Sequence, residues 1–187
     1  MMSWSRSKWR MLRKYLRLNI SSVQLPWGLG SIDFAPNDQE KKAAWNLYIE
    51  LTTRITTQRL DPSSGRLREA LDSLYFLFNF TRNTLRDAGP EVAYEFGPVA
   101  LSILNKGIRP FTAKWHPLLQ AWEEQKPPDV SKLDHEHAWE HFQAMRAELL
   151  DLQDHLRMYA EALAKIAGVD IDLHDRFMDD AHKGGAP

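Results

Sequence analysis

The chain has 187 residues, 43% of them hydrophobic and 26% charged, and it contains no cysteine. That length supports one domain with a real core, and the composition argues against global disorder. Zero cysteines exclude disulfides, thiolate catalysis and cysteine-ligated zinc, and fit a reducing compartment.

The formal net charge of −1 hides a segregation. Residues 1–32 hold Arg6, Lys8, Arg10, Arg13, Lys14 and Arg17 with no acid, so the other 18 basic residues stand against 25 acids. A charge asymmetry of this kind concerns partners more than fold. No apolar run approaches the roughly 18–20 residues needed to cross a bilayer. The basic start lacks the uninterrupted apolar core of a secretory signal. A cytoplasmic protein is expected, with a membrane-peripheral location as the variant reading.

In chain order, the first predicted helix runs from about Trp4 to Leu18, within a basic amphipathic segment at 1–20. On a wheel of about 100° per residue, Arg6, Arg10, Arg13, Lys14 and Arg17 fall in one sector about 100° wide. Trp4, Trp9 and the aliphatic residues fill most of the rest. A broad apolar face beside a basic strip suits an anionic membrane surface or a protein partner. It also matches an organelle presequence that would be clipped. The remaining alternative is that the apolar face joins the core. Nucleic acid is disfavoured, because the strip is short and the rest of the chain is acidic.

A helical domain is predicted over 37–167. Asn37, with Glu40 three residues on, reads as a capping box. Ala44, Leu47, Tyr48, Leu51 and Ile55 then share one helical face. Asp61-Pro62-Ser63-Ser64-Gly65 is a turn. A helix from Arg66 to Ala88 should follow and stop at Gly89-Pro90. Its centre, residues 74–80, is apolar nearly all round, which predicts a place in the middle of a bundle. Between Glu91 and Gln125, Gly97-Pro98, Gly107, Pro110 and Pro117 predict short helices joined by kinks. Trp45, Trp115, Trp122 and Trp139 are expected in the core.

Lys126-Pro127-Pro128-Asp129 reads as a linker. Beyond it, one long helix is predicted from Ser131 or Asp134 to Ala167, with Gly168 as its stop. Phe142, Met145, Leu149, Leu152, Leu156, Tyr159, Leu163 and Ile166 recur at spacings of three and four, a heptad seam suited to knobs-into-holes packing. The predicted partner for this seam within the chain is the Arg66–Ala88 helix, and self-association into a homo-oligomer is the other use. Residues 169–187 read as an acidic, flexible tail. The fold class is therefore all-α, a bundle of four or more helices with a long heptad-patterned C-terminal helix.

Three site candidates stand out. Lys106, Arg109 and Lys114 gather around the predicted helix breaks, where exposed backbone amides and cations can hold an anion. Arg109-Pro-Phe-Thr-Ala-Lys-Trp-His116 resembles the R-x(4–6)-H signature of the HEPN family of helical bundles, over these eight residues alone. That resemblance implies an RNA- or nucleotide-handling protein with Arg109 and His116 on one helix, acting in a dimer. The two prolines predict a broken helix here, a departure from the family. His137-Ala-Trp-Glu140-His141 is similar to the inverted zinc-protease pattern H-x-x-E-H, which would place His137 and His141 on one face as metal ligands. The alternative is a set of polar residues in the exposed first turns of the last helix. With no complete catalytic constellation and no cofactor motif, the expected function is a non-enzymatic interaction module that binds a protein partner.

Overall fold

The computed structural model describes residues 21–55, 57–93 and 96–169. The basic segment at 1–20 and all but the first residue of the acidic tail lie outside the described residues. What is described is mostly helical, with one departure. Strands β1 (Ser21–Gln24) and β2 (Ser31–Phe34) form an antiparallel hairpin with Val23 opposite Ile32. Ser22 and Gln24 are exposed while Val23 and Leu25 are buried, the period-two alternation of a half-covered strand. The connection places Trp27, Gly28 and Gly30 at positive φ of 54°, 67° and 82°.

Helix α1 (Asp38–Thr52) begins with the expected box. The Asn37 side chain accepts from the Glu40 amide at 2.9 Å, and the Glu40 carboxylate accepts from the Asn37 amide at 3.0 Å. Ala44, Leu47 and Leu51 are buried on one face; the helix stops short of Ile55. Trp45, expected in the core, is 39% exposed. It falls on the opposite side of the helix from that buried row, where Tyr48 of the same helix stacks on it.

The Asp61 carboxylate organises the next turn by accepting from the amides of Ser63 and Ser64, both at 2.8 Å. The Ser63 hydroxyl above all, together with the two amides and the Ser64 hydroxyl, holds its carboxyl well below the usual range. Helix α2 (Leu67–Ala88) follows and ends at Gly89, which takes φ of 76°. It is not enclosed on all sides. Leu67, Leu71, Leu74 and Leu77 are buried, but Tyr75 and Phe76 are 38% and 42% exposed. Hydrophobicity placed the whole circumference inside; packing covers only one side of it.

A 3₁₀ turn (Pro90–Val92) leads to α3 (Phe96–Ser102), a π-helical stretch (Ile103–Ile108) and α4 (Arg109–Glu123). The expected kinks are absorbed. Pro98 sits in the first turn of α3, where an amide would be unpaired anyway. Pro110 falls where the π register returns to α, just after the Arg109 amide has bonded the Leu104 carbonyl. Only Pro117 stands in a helix interior, at a cost of about 3 kcal/mol. Burial of Ile103, Ile108, Phe111, Trp115 and Leu119, each worth about 1.5–3 kcal/mol, outweighs that cost.

The predicted single last helix is two. Helix α5 (Lys132–His137) is capped by the Ser131 hydroxyl, which accepts from the Asp134 amide at 3.0 Å. The chain turns through 138–141 and restarts as α6 (Phe142–Ala167), which stops at Gly168 with φ of 75°. The turn lets Trp139 reach the core, 5.9 Å from Trp115 ring to ring. All eight apolar positions from Phe142 to Ile166 are buried. The element running along them is α1, with β1 and α4 beside it, rather than α2 as the sequence predicts.

Candidate functional site

A cleft of about 430 Å³ opens where the start of α2, the end of α4 and α5 meet. Its wall is charged because each of the three elements contributes titratable residues there. Arg68 grips Glu123 with two parallel hydrogen bonds, Nε to Oε1 at 3.0 Å and Nη2 to Oε2 at 2.5 Å, the fork geometry that suits a guanidinium and a carboxylate. This pairing pushes the Arg68 guanidinium further up from its usual value.

Glu136 is 2% exposed. Its carboxylate accepts from the amides of Leu67 at 2.6 Å and Arg68 at 3.4 Å, so α5 supplies the cap that α2 lacks from its own Arg66. Burial raises the Glu136 carboxyl, opposed by the two amides and by Arg66, whose Nη2 lies 3.8 Å away. His135 is stacked on Trp122 at 4.5 Å and 6°, with its Nε2 2.8 Å from the Trp122 carbonyl and the Trp122 indole donating to the His135 carbonyl at 2.8 Å. A ring nitrogen facing a carbonyl must carry the proton. The charges of this cleft are largely satisfied by one another. Chemically it is a polar lock joining α2, α4 and α5.

The residues singled out in the sequence lie elsewhere. Arg109 and His116 do share one helix, α4, because Pro110 and Pro117 do not break it. Seven residues apart, they fall within about 20° of each other around the axis. The Arg109 Nε donates to the Asn105 side chain at 3.1 Å and its guanidinium lies 5.4 Å from the Phe78 ring. His116 meets the edge of Tyr75 at 5.1 Å, and its buried Nδ1 has no hydrogen-bond partner.

Of the three cations read as an anion site, Lys114 lies away from Arg109. Lys106 is exposed on the π stretch. Lys114 sits about 140° around α4 from Arg109, paired with Glu148 and 4.3 Å from the Trp115 ring. Lys114 and the Trp115 indole, donating at 2.8 Å, together hold the Glu148 carboxyl below its usual range.

His137 ends α5 and His141 precedes α6, so the turn separates them. His137 contacts the Phe142 ring and His141 the rings of Trp115 and Trp139. No group of three or more metal-ligating side chains occurs among the described residues. The contact residues Trp4, Arg6, Trp9, Arg10, Arg13, Lys14 and Arg17 lie outside them.

What the sequence reading missed is a set of exposed aromatic and aliphatic side chains on two touching helices. Trp45 and Ile49 of α1 and Tyr75 and Phe76 of α2 are each 38–42% exposed. Trp45 stacks on Tyr48 at 5.6 Å, Phe76 on Phe80 at 6.1 Å, and Arg54 lies 3.6 Å over the Phe76 ring. The helical wheel of α2 carried the signal: Tyr75 and Phe76 fall on the side of Asp72, Asn79 and Arg82, away from its leucines. No family model, no curated protein and no solved structure matches the chain.

Proposed function

We propose that this chain is a helical-bundle interaction module that binds a protein partner through the outer faces of α1 and α2. The observation carrying the reading is the exposed set Trp45, Ile49, Tyr75 and Phe76. Large apolar side chains gathered on neighbouring elements mark interaction surfaces, and aromatic residues with an arginine beside them are enriched at interface cores. In this reading the residues from Phe142 to Ile166 are a heptad seam that knits the bundle internally, and their burial supports that use over self-association.

The test is site-specific photo-crosslinking in the native cell, with a photoreactive phenylalanine analogue at position 76 and a control at Asp129. A discrete adduct formed at 76, absent at 129 and lost on Trp45→Glu, is the expected result. No adduct at 76, or the same adduct at both positions, refutes the proposal.

A second reading, the RNA-handling one, draws on the continuity of α4 and on the unpartnered His116 Nδ1 beside Tyr75. Incubation with single-stranded RNA decides it. Cleavage abolished by His116→Ala would support that function, and cleavage that is absent or unchanged in the variant would dismiss it.

A further inference from the structure

Among the outer faces of the helices, that of α6 is distinctive. Leu150, Asp151, Asp154, Met158 and Glu161 are all exposed, with Leu150 at 37% and Met158 at 41%. At 100° per residue they occupy one sector about 100° wide, so two large apolar side chains lie among three carboxylates. The small side chain of Ala147 extends the strip toward the start of the helix, and Lys165 closes it at the other end. Asp151 and Asp154 have local partners, His155 at 3.6 Å and Arg157 at 2.9 Å, while Glu161 has no ion-pair partner among the described residues. The π stretch and α4 expose Lys106, Arg109 and Lys114, and α1 and α2 expose Lys42, Arg82 and Arg86. On α6 the acids share one sector with Leu150 and Met158, whereas on α2 the exposed acids Glu69, Asp72 and Asp87 are mixed with Arg82 and Arg86.

We propose that this face of α6 is the docking surface for the chain's own basic segment, residues 4–18. The charges are complementary: six cations and no acid in 1–20, against three acids on the strip, with Lys165 at its end and Arg157, paired with Asp154, at its border. The apolar faces are complementary too. Trp9, Leu12 and Leu16 would share one side of a helix, next to Arg6 and Arg13, and meet Leu150 and Met158. The lengths agree, since a helix over 4–18 is about 22 Å long and the strip from Ala147 to Glu161 about 21 Å. The connection is short, because β1 begins at Ser21 and packs against α6. The hairpin is also anchored at the border of the strip, where Trp27 stacks on His155, about 40° around the axis from Asp151. An isolated helix of about 15 residues is marginal in water, so a helix over 4–18 would need a surface to be stable. The inference does not rest on the aromatic face of α1 and α2.

Hydrogen exchange on the full chain, monomeric and free of lipid, tests it. Amides of 4–18 should exchange at least tenfold more slowly than an unstructured chain. The triple variant Leu150→Lys/Met158→Lys/Glu161→Lys should abolish that protection while α1 and α2 stay protected. Trp45→Glu should leave it unchanged. Unprotected amides in the wild type overturn the proposal, as does protection the triple variant does not affect. Protection that rises with protein concentration assigns the face to a second copy, and protection only with phosphatidylserine vesicles assigns the segment to a membrane; either result overturns it as well. Should the triple variant also lose protection in α1, carbodiimide cross-linking of the wild type decides. Zero-length links from Lys8 or Lys14 to Asp151, Asp154 or Glu161 uphold the docking, and their absence refutes it.

Discussion

Glu136 offers the most direct test of how the helices are joined. The carboxyl is 2% exposed and caps the start of α2 from another element. Glu136→Ala removes the acceptor of two amides and one of the three anions within 4 Å of Arg66. A lost cap and an unpaired buried donor together cost about 2–3 kcal/mol. For a chain of this length that lowers Tm by about 5–10 °C. Glu136→Gln keeps an acceptor oxygen and discards the charge. Burial is the dominant influence on this group and raises its carboxyl above 4.5, so the charged form is less favourable in the folded protein than in the unfolded chain. The glutamine variant is therefore expected to match or exceed the wild type at pH 7, within about 1 kcal/mol. The sign of the pH effect follows from linkage. The stability contributed by a raised carboxyl is full below 4.5 and is lost as pH rises through the raised value. Wild type should gain on Glu136→Gln as pH falls from about 7 toward 4.5. Urea unfolding followed by tryptophan fluorescence at both pH values measures this. Glutamine as damaging as alanine at pH 7, or a stability difference between wild type and Glu136→Gln that does not change with pH, would refute the reasoning.

Three further outcomes are expected from the core. Gln153 is fully buried and its amide nitrogen donates to the carbonyls of Ile55 at 3.3 Å and Gln58 at 2.5 Å. Gln153→Leu should cost about 2 kcal/mol by leaving both unmet, and a Tm equal to wild type would exclude that role. The Tyr159 hydroxyl is buried without a partner, and burial pushes its pKa up. Tyr159→Phe should thus be neutral or stabilising by about 1 kcal/mol, and a clear loss in urea unfolding would show that the hydroxyl has a partner. A Cβ on Gly107 would stand 2.7 Å from the Trp27 ring, which also stacks on His155 at 5.1 Å. Gly107→Ala should cost about 1–3 kcal/mol and much less in a Trp27→Ala background; equal costs in a double-mutant cycle would disprove the contact.

Where the sequence was legible, a local chemical rule decided the structure. Asn37 with Glu40, the Asp61–Gly65 turn and the stops at Gly89 and Gly168 each involve groups a few residues apart, so no tertiary context was needed. The hairpin was illegible for the opposite reason. Four-residue strands carry too little alternation to stand out, and what holds Val23 and Leu25 is a core built by helices far along the chain. Pro110 and Pro117 misled because a proline penalty is local, while the burial of Trp115 and Leu119 that overrides it is not. Glu136 could not be chosen from 25 acids, since its distinction is the pair of amides nearly 70 residues away.

The contrast between α2 and α6 shows why apolar content alone does not locate an interface. Both helices carry long rows of large side chains, and α2 has the richer aromatic centre. In α6 the seam from Phe142 to Ile166 keeps to spacings of three and four, so one neighbouring layer covers all eight of its residues. Of the large apolar side chains, only Leu150 and Met158 are left to share the outward sector with acids. In α2 the run from Leu74 to Phe78 is consecutive and therefore spreads around the axis. One packed layer covers only the part that includes Leu74 and Leu77, leaving Tyr75 and Phe76 outside. A consecutive apolar run on a helix thus calls for a second layer, whereas a strictly periodic one does not. In this chain the fold supplies the first layer to both, and the unmet second layer on α2 is what the proposed protein partner would provide.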